Sequence, residues 1–257
     1  MEDNKKNKKR ETDFLTDFTA EPIGVVRSCF TEKFGIPRQS GLAPSASAVI
    51  QLRKRFCRQE IVNGLDGFNH LWVLFIFHRV LEDGWKTTVR PPRLGGRERV
   101  GVFATRSPHR PNHIGLSAVR LDGIQCGRGF LHLAVSGGDL LDGTPVIDLK
   151  PYIPYSDVIN SAHMPSGAGV SPVTEVLFTE AAQLFCQHYE EQTNRKLHAL
   201  IIEVLRQDPR PASQQQKKKE FGIQLWNVNV RWEIDDHYCR VLCCELLEDF
   251  SPVQNPE

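Results

Sequence analysis

The chain has 257 residues, with 32 lysines and arginines against 31 aspartates and glutamates and a net charge of +1. Its length exceeds one typical domain and falls short of two large ones, so one main domain with a smaller partner is expected, and its charge and apolar content are those of an ordinary soluble protein. The longest apolar run, Leu71 to Phe77, is far too short for the ~20 residues of a membrane helix, so no membrane span is expected.

The first segment, residues 1–18, opens "MEDNKKNKKR". It carries the lysines of a signal sequence without the apolar stretch behind them, and its acidic residues argue against a transit peptide. It reads as a disordered basic tail, either simply solvated or serving RNA tethering or nuclear targeting. From 19 to 160, short apolar runs recur with turn signals between them: "EPIGVVRSCF", "SAVIQLRKRF", "HLWVLFIFH", "RVGVFATR", "GLSAVRLDGI", "GFLHLAVSG" and "TPVIDLKPYI". This spacing, with no long helical period, predicts an all-β unit, most simply a barrel. "LDGIQCGRGF" is a hairpin, and Leu131, Leu133 and Val135 alternate with smaller or polar residues as a half-buried strand requires.

One stretch of this unit, "GVFATRSPHRPNHIG" from Gly101 to Gly115, stands apart. Val102, Phe103 and Ala104 read as the end of a buried strand. Pro108 and Pro111 then imply a loop held in one shape, presenting Arg106, His109, Arg110 and Asn112. Around it, from Lys86 to Arg120, the chain carries Lys86, Arg90, Arg93, Arg97, Arg99, Arg106, Arg110 and Arg120 against Glu98. Planar guanidinium forks in such a block favour an anionic partner such as RNA, although a solvated strand face accounts for part of it.

Residues 161–171, small and glycine-containing, read as a linker or long loop. Beyond it the period changes. In residues 172–250, Leu197, Leu200, Ile201, Val204 and Leu205 fall on one helix face, and Pro209 stops the helix. Trp226, Val228, Val230, Trp232 and Ile234 then share one side of a strand, so this part is a small α+β domain, with a tail at 251–257. The lysines of "RPASQQQKKKE" read as a solvated loop, with contact to RNA as the alternative.

Seven cysteines, an odd number, do not form a disulfide framework in a chain of this size, which implies a reducing, cytoplasmic setting. His237, Cys239, Cys243 and Cys244 lie close in sequence, but without a CxxC pair and within the alternating "YCRVLCCELL" they read as core thiols, and no metal is expected. There is no GxxxxGK[ST], no GxGxxG, no GxSxG and no HExxH. Spacing alone therefore names no reaction, only a basic β domain with an anion site.

The motifs go further. "GIPRQSGL", "GFNHLWVLFIFH", "VRPPRLGG", "GVFATRSPHRPN" with Ile114 and Gly115, "DLLDGTPVIDLKPY", "DPRPA" and "NVNVRW", in this order from Glu21 to about Leu246, resemble the TrmO family of tRNA methyltransferases. The resemblance implies a mainly β fold, with an N-terminal β-barrel methyltransferase domain and a small C-terminal α+β domain. It further implies a homodimer that uses S-adenosylmethionine to methylate the exocyclic amine of threonylcarbamoyladenosine beside the tRNA anticodon. It implies cofactor contacts from Pro37, Arg38, Gln39, His78, Arg79, Arg106, Leu116, Asp139, Leu140, Leu141 and Asp142. These supply the cationic, acceptor and apolar groups that the cofactor's carboxylate, diol, adenine and sulfonium call for. For RNA, phosphates call for arginines and splayed bases for aromatic partners, roles open to Arg90, Arg93, Arg97, Arg110, Tyr152 and Trp85.

Structural readings stand beside these: Asp142 as a turn-closing residue, Asp148 paired with Lys150, His70 as a packing residue. His113 and Ser213 depart from the family pattern. No proton acceptor is identified. A non-catalytic RNA-binding module and a methyltransferase of small molecules are the alternative functions.

Overall fold

The computed structural model describes residues 18–91, 98–163, 175–210, 220–234 and 238–247. Strands β1 (Gly24–Ser28), β2 (Ser47–Leu52), β3 (His70–Ile76), β6 (Ile114–Gly127), β7 (Phe130–Ser136) and β8 (Pro145–Pro151) close a barrel in the order β1-β2-β7-β6-β3-β8. Every pairing in it is antiparallel. Alternation decides which side chains fill it. Leu131, Leu133 and Val135 of β7 and Leu71, Val73 and Phe75 of β3 point inward with Val26, Ile50, Val119 and Val146, all buried. A barrel of this size is plugged by its own side chains. Any ligand site must therefore lie outside it or at an end.

β6 is long because it serves two neighbours in turn. Ile114 to Arg120 pair with β3, and Arg120 to Gly127 pair with β7, with an irregularity between Leu121 and Gly123 where the strand is re-aimed. The expected hairpin follows, turning at Gly129, whose φ of 86° suits a residue without Cβ. A two-stranded ribbon, β4 (Thr88–Val89) with β5 (Val100–Gly101), rises outside the barrel.

The expected strand end at Val102, Phe103 and Ala104 is a 3-10 turn instead. The Thr105 hydroxyl and backbone N–H both donate to the Val102 carbonyl and close it, which leaves Val102 buried and Phe103 78% exposed. Apolar content alone could not separate the two conformations.

The second unit is a four-stranded sheet, in the order β10-β11-β12-β9, from β9 (Glu175–Phe178), β10 (Glu220–Leu225), β11 (Val228–Ile234) and β12 (Tyr238–Leu246). A short helix α1 (Pro154–Asp157) follows the barrel, and α2 (Glu180–Thr193) and α3 (Leu197–Leu205) belong to this unit. All five residues of the predicted helix stripe are buried in α3. Helix α2 has no counterpart in the sequence reading: its buried residues are Ala182, Cys186 and Tyr189, too sparse and mixed a stripe to announce itself. Trp226 is buried but sits in the β10–β11 turn at φ 52°, ahead of the strand.

The two units share a seam. Phe30 forms isolated bridges with both Leu141 and Leu225, and Cys29, Phe30, Ala43 and Ala46 pack into the core of the second unit. The β1–β2 connection is therefore held between them.

Cys29, Cys186, Cys239 and Cys244 are buried free thiols. Among the described residues no helix is long and apolar enough to cross a membrane. The tail before Phe18, residues 164–171 of the expected linker, the lysines of the 211–219 stretch, Ser213, His237, Arg93, Arg97 and the 251–257 tail lie outside the described residues.

Candidate active site

At the barrel end where β3 finishes and β6 begins, a cleft of about 880 Å³ opens. Four segments from distant parts of the chain line it: Lys33 to Ser40 of the β1–β2 connection, Phe77 to Val80 after β3, Thr105 to Arg110 before β6, and Asp139 with Leu141 and Thr144 after β7. Its apolar wall is the outer face of β3 and β6, where Trp72, Ile76, Ile114, Leu116 and Ala118 occupy positions that an ordinary half-buried strand would give to polar residues. Leu116 is 52% exposed.

The wall depends on a glycine. A Cβ on Gly115 would stand 2.2 Å from a ring carbon of Phe75, so only glycine lets β6 pass over that buried ring. Phe75 in turn meets Phe77 edge-on at 5.1 Å between ring centroids.

The rigid loop is held by more than its prolines. Thr105 Oγ1 accepts from the Ser107 N–H, Ser107 Oγ from the His109 N–H, and Arg110 donates to the Thr105 carbonyl. His113 adopts a left-handed backbone, φ 49°, and its Nδ1 lies 2.9 Å from the Pro108 carbonyl, so the ring donates there. From this frame Arg106 reaches across the cleft to the Gln39 carboxamide oxygen, and the Gln39 amide donates to the Arg38 carbonyl. Arg38 itself donates to the Asp208 carbonyl at 3.3 Å, and Asp208 forks with Arg210 at 2.7 and 3.0 Å. The "DPRP" stretch of the second unit thus abuts the cleft.

Arg38, Arg79, Arg106, Arg110 and Lys33 give the cleft its positive character, and Asp139 is the single carboxylate among its described lining residues. The Ser117 hydroxyl donates to Asp139 at 2.5 Å. Burial raises the proton affinity of Asp139 above the usual carboxylate range, opposed by Ser117, by its own N–H, by Arg106 and by the Ser40 N–H. His78 moves the other way: burial, then the charges of Arg79 and Lys33, hold its imidazole below the usual histidine range and keep it neutral.

Of the residues singled out for the cofactor, Pro37, Arg38, Gln39, His78, Arg79, Arg106, Leu116, Asp139 and Leu141 line this cleft. Two go elsewhere. Leu140 is buried in the barrel core at 2% exposure. Asp142 accepts from the Ser28 N–H at 2.9 Å and pairs with Arg27 at 3.5 Å, closing the turn that feeds β8. Of the residues singled out for RNA, Arg110 lines the cleft and Arg90 is exposed just after β4. Tyr152 packs 5.3 Å from Trp72, which lines the cleft and donates to Asp157 at 2.9 Å. Arg120 is engaged with Asp122 at 2.6 Å, and Asp148 and Lys150 form a long surface pair at 3.9 Å.

Sequence reasoning missed Lys33, Trp72, Ile114 and Ser117 as lining residues. Trp72 and Ile114 carried a signal, since each is a large apolar group on the outward face of a strand. The donor set fits S-adenosylmethionine: guanidinium forks for its carboxylate, an apolar wall for adenine, and a carboxylate beside it.

Residues 25–158 match the tRNA-methyltransferase O N-terminal domain and residues 171–246 the TrmO C-terminal domain. The tRNA (adenine(37)-N6)-methyltransferase of Escherichia coli is 42% identical over 90% of this chain and 99% of its own length. RcsF of Pseudomonas aeruginosa, named for S-adenosylmethionine-dependent methyl transfer, is 45% identical over 86% of this chain and 93% of its own. The crystal structure of TrmO from Pseudomonas aeruginosa superposes with a TM-score of 0.76 at 37% identity, covering 90% of this chain and 99% of that one. The chain belongs to the TrmO family.

Proposed function

We propose that the protein methylates the exocyclic N6 amine of threonylcarbamoyladenosine beside the tRNA anticodon, acting as a homodimer in the cytoplasm. It is an S-adenosylmethionine-dependent tRNA (adenine-N6)-methyltransferase, as its family membership entails. The observation that carries the reading is the cleft itself, where five cationic side chains and one half-buried carboxylate face an apolar wall.

The cofactor, when bound, supplies an activated methyl group. The chain's own residues do the rest. Arg38, Arg79 and Arg106 hold the carboxylate end, with Pro37 and Gln39 shaping the floor. Leu116 and Leu141 cover the adenine, and His78, kept neutral, offers a hydrogen bond without adding a positive charge beside a sulfonium. Most of the rate then comes from holding the amine in line with the methyl carbon, for which a stiff loop is better suited than a mobile one.

Arg110 at the cleft and the exposed Arg90 would meet phosphates, and Tyr152, packed on Trp72, would stack with a base. The dimer is supported by an apolar side chain left open to solvent, Phe103 at 78% exposure, which a second copy would cover.

Mass spectrometry of tRNA nucleosides after incubation with the protein and labelled cofactor tests the reading. The label is expected on threonylcarbamoyladenosine. Cofactor binding with no label on any tRNA would point to a small-molecule substrate instead. Sedimentation of the purified protein decides between one copy and two.

A further inference from the structure

Methylating an exocyclic adenine nitrogen requires a base, and the demand is greatest if that nitrogen is carbamoylated. Its lone pair is drawn into the ring and into the carbonyl, so it is a poor nucleophile until its N–H proton begins to leave. The cleft offers few acceptors. Lys33, Arg38, Arg79, Arg106 and Arg110 are cations, which leaves His78, His109 and Asp139 among the described lining residues.

We propose that Asp139 is the catalytic proton acceptor for the target N6 amine, with Ser117 as its positioning residue. Asp139 lines the cleft, and the 2.5 Å hydrogen bond from Ser117, itself 3% exposed on β6, fixes the carboxylate's direction. The Ser40 N–H from the β1–β2 connection and the Arg106 guanidinium from the loop before β6 are the other donor and the charge acting on it.

The geometry favours Asp139 over the imidazoles: the Ser117 hydroxyl holds its carboxylate in place, whereas among the described residues no side chain hydrogen-bonds the ring of His78 or of His109. Burial also raises the basicity of Asp139 above that of an ordinary carboxylate and lowers that of His78, beside Arg79 and Lys33, below that of an ordinary histidine. A carboxylate also faces a sulfonium without repulsion, in its ionised state before transfer, and becomes neutral afterwards.

The step balances. The nitrogen–carbon bond forms as the carbon–sulfur bond breaks, the electron pair of the broken bond stays on sulfur, and the N6 proton passes to the Asp139 carboxylate. One positive and one negative charge are consumed and a neutral thioether and a neutral carboxylic acid remain. The proton then leaves to solvent through the open cleft.

This inference rests on the N6 methylation proposed above, and the two fail differently. If wild-type protein puts no methyl on tRNA adenine, the function is wrong. If it does, Asp139→Asn and Ser117→Ala test the base. Asp139→Asn keeps an acceptor oxygen for Ser117 and for the cofactor, so cofactor affinity measured by calorimetry should fall far less than turnover. Its turnover should fall by roughly a hundredfold or more, the lower bound for removing a general base. The wild-type rate should rise with pH along an acid limb, and the residual rate of Asp139→Asn should lack it. Ser117→Ala removes a hydrogen bond to the charged form, so its acid limb should move to higher pH, a shift that a purely structural serine would not cause.

A readout independent of activity is the pH dependence of stability. A carboxylate whose native proton affinity is raised stabilises the fold while protonated, and that stability is lost as pH rises through the native value. The melting temperature of Asp139→Asn relative to wild type should therefore climb from acid toward neutral pH. Loss of cofactor affinity in step with turnover would overturn the proposal and make Asp139 a cofactor contact. An unchanged acid limb in Asp139→Asn would overturn it too.

Discussion

Replacing Arg106 by alanine separates a binding residue from a scaffold residue. In the free protein Arg106 is exposed, and its guanidinium meets the side chain of Gln39. The loop around it is closed by Thr105, Ser107, Arg110 and His113 through bonds that do not involve the guanidinium. Removing it should therefore change stability by no more than ~0.5 kcal/mol, a surface-sized effect, or about 1–2 °C in Tm for a chain of this length. Cofactor binding should respond differently. A hydrogen bond to a charged group is worth ~1.5–3 kcal/mol, which is roughly ten- to a hundredfold in affinity. Because Arg106 stands on the wet rim of the cleft, the lower part of that range is expected. Calorimetric titration with S-adenosylmethionine and a melt of the same variant give both numbers. Full cofactor affinity would remove Arg106 from the site, and a melt lowered by ten degrees would make it part of the scaffold.

Gly115→Ala would set a methyl group 2.2, 2.4 and 2.8 Å from three carbons of the Phe75 ring, which is buried and cannot swing away. Overpacking of this kind costs ~1–3 kcal/mol, so a melting temperature lower by several degrees is expected, together with weaker cofactor binding as the wall shifts; an unaltered melt would refute the account of the wall. Asp142→Ala should leave the Ser28 N–H unpaired and destabilise by ~1–2 kcal/mol, with cofactor affinity held within about twofold. Asp142→Asn, which keeps the accepting oxygen, should recover most of that stability, and calorimetry showing a tenfold loss of affinity in either variant would return Asp142 to the cofactor site. Between pH 7 and 5, protonating His78 is resisted by its burial and by Arg79 and Lys33, so the stability this neutral side chain contributes should be lost as pH falls below the ordinary histidine value. His78→Gln should flatten that acid-side decline in melting temperature.

The barrel was legible because its code is short-ranged. Alternation at Leu131, Leu133 and Val135 needs only seven residues of context, and burying all three forces the strand and its register. The stripe from Leu197 to Leu205 is legible for the same reason at period 3.6. The cleft is different, because direction within a tight turn is not written in residue type. Asp139, Leu140 and Asp142 are neighbours in "DLLDG", yet one turn sends the first to the cleft, the second to the barrel core and the third back to the Ser28 N–H. Resemblance groups all three, and only the backbone path separates them.

The same limit explains Phe103. "GVFA" carries the composition of a strand, but the Thr105 hydroxyl two residues on competes for the Val102 carbonyl and wins, turning the chain and exposing the ring. It also explains why the two units do not separate cleanly at the barrel's end. Phe30 bridges to Leu141 on one side and Leu225 on the other, so the segment that carries Pro37, Arg38 and Gln39 is pinned by the second unit's core as much as by the barrel. Arg38 reaching the Asp208 carbonyl extends that seam to the cleft wall. The second unit therefore does more than sit beside a finished site: it fixes one of the four segments that make it, and a barrel deprived of that core would leave the β1–β2 connection, and with it the cationic side of the cleft, without its support.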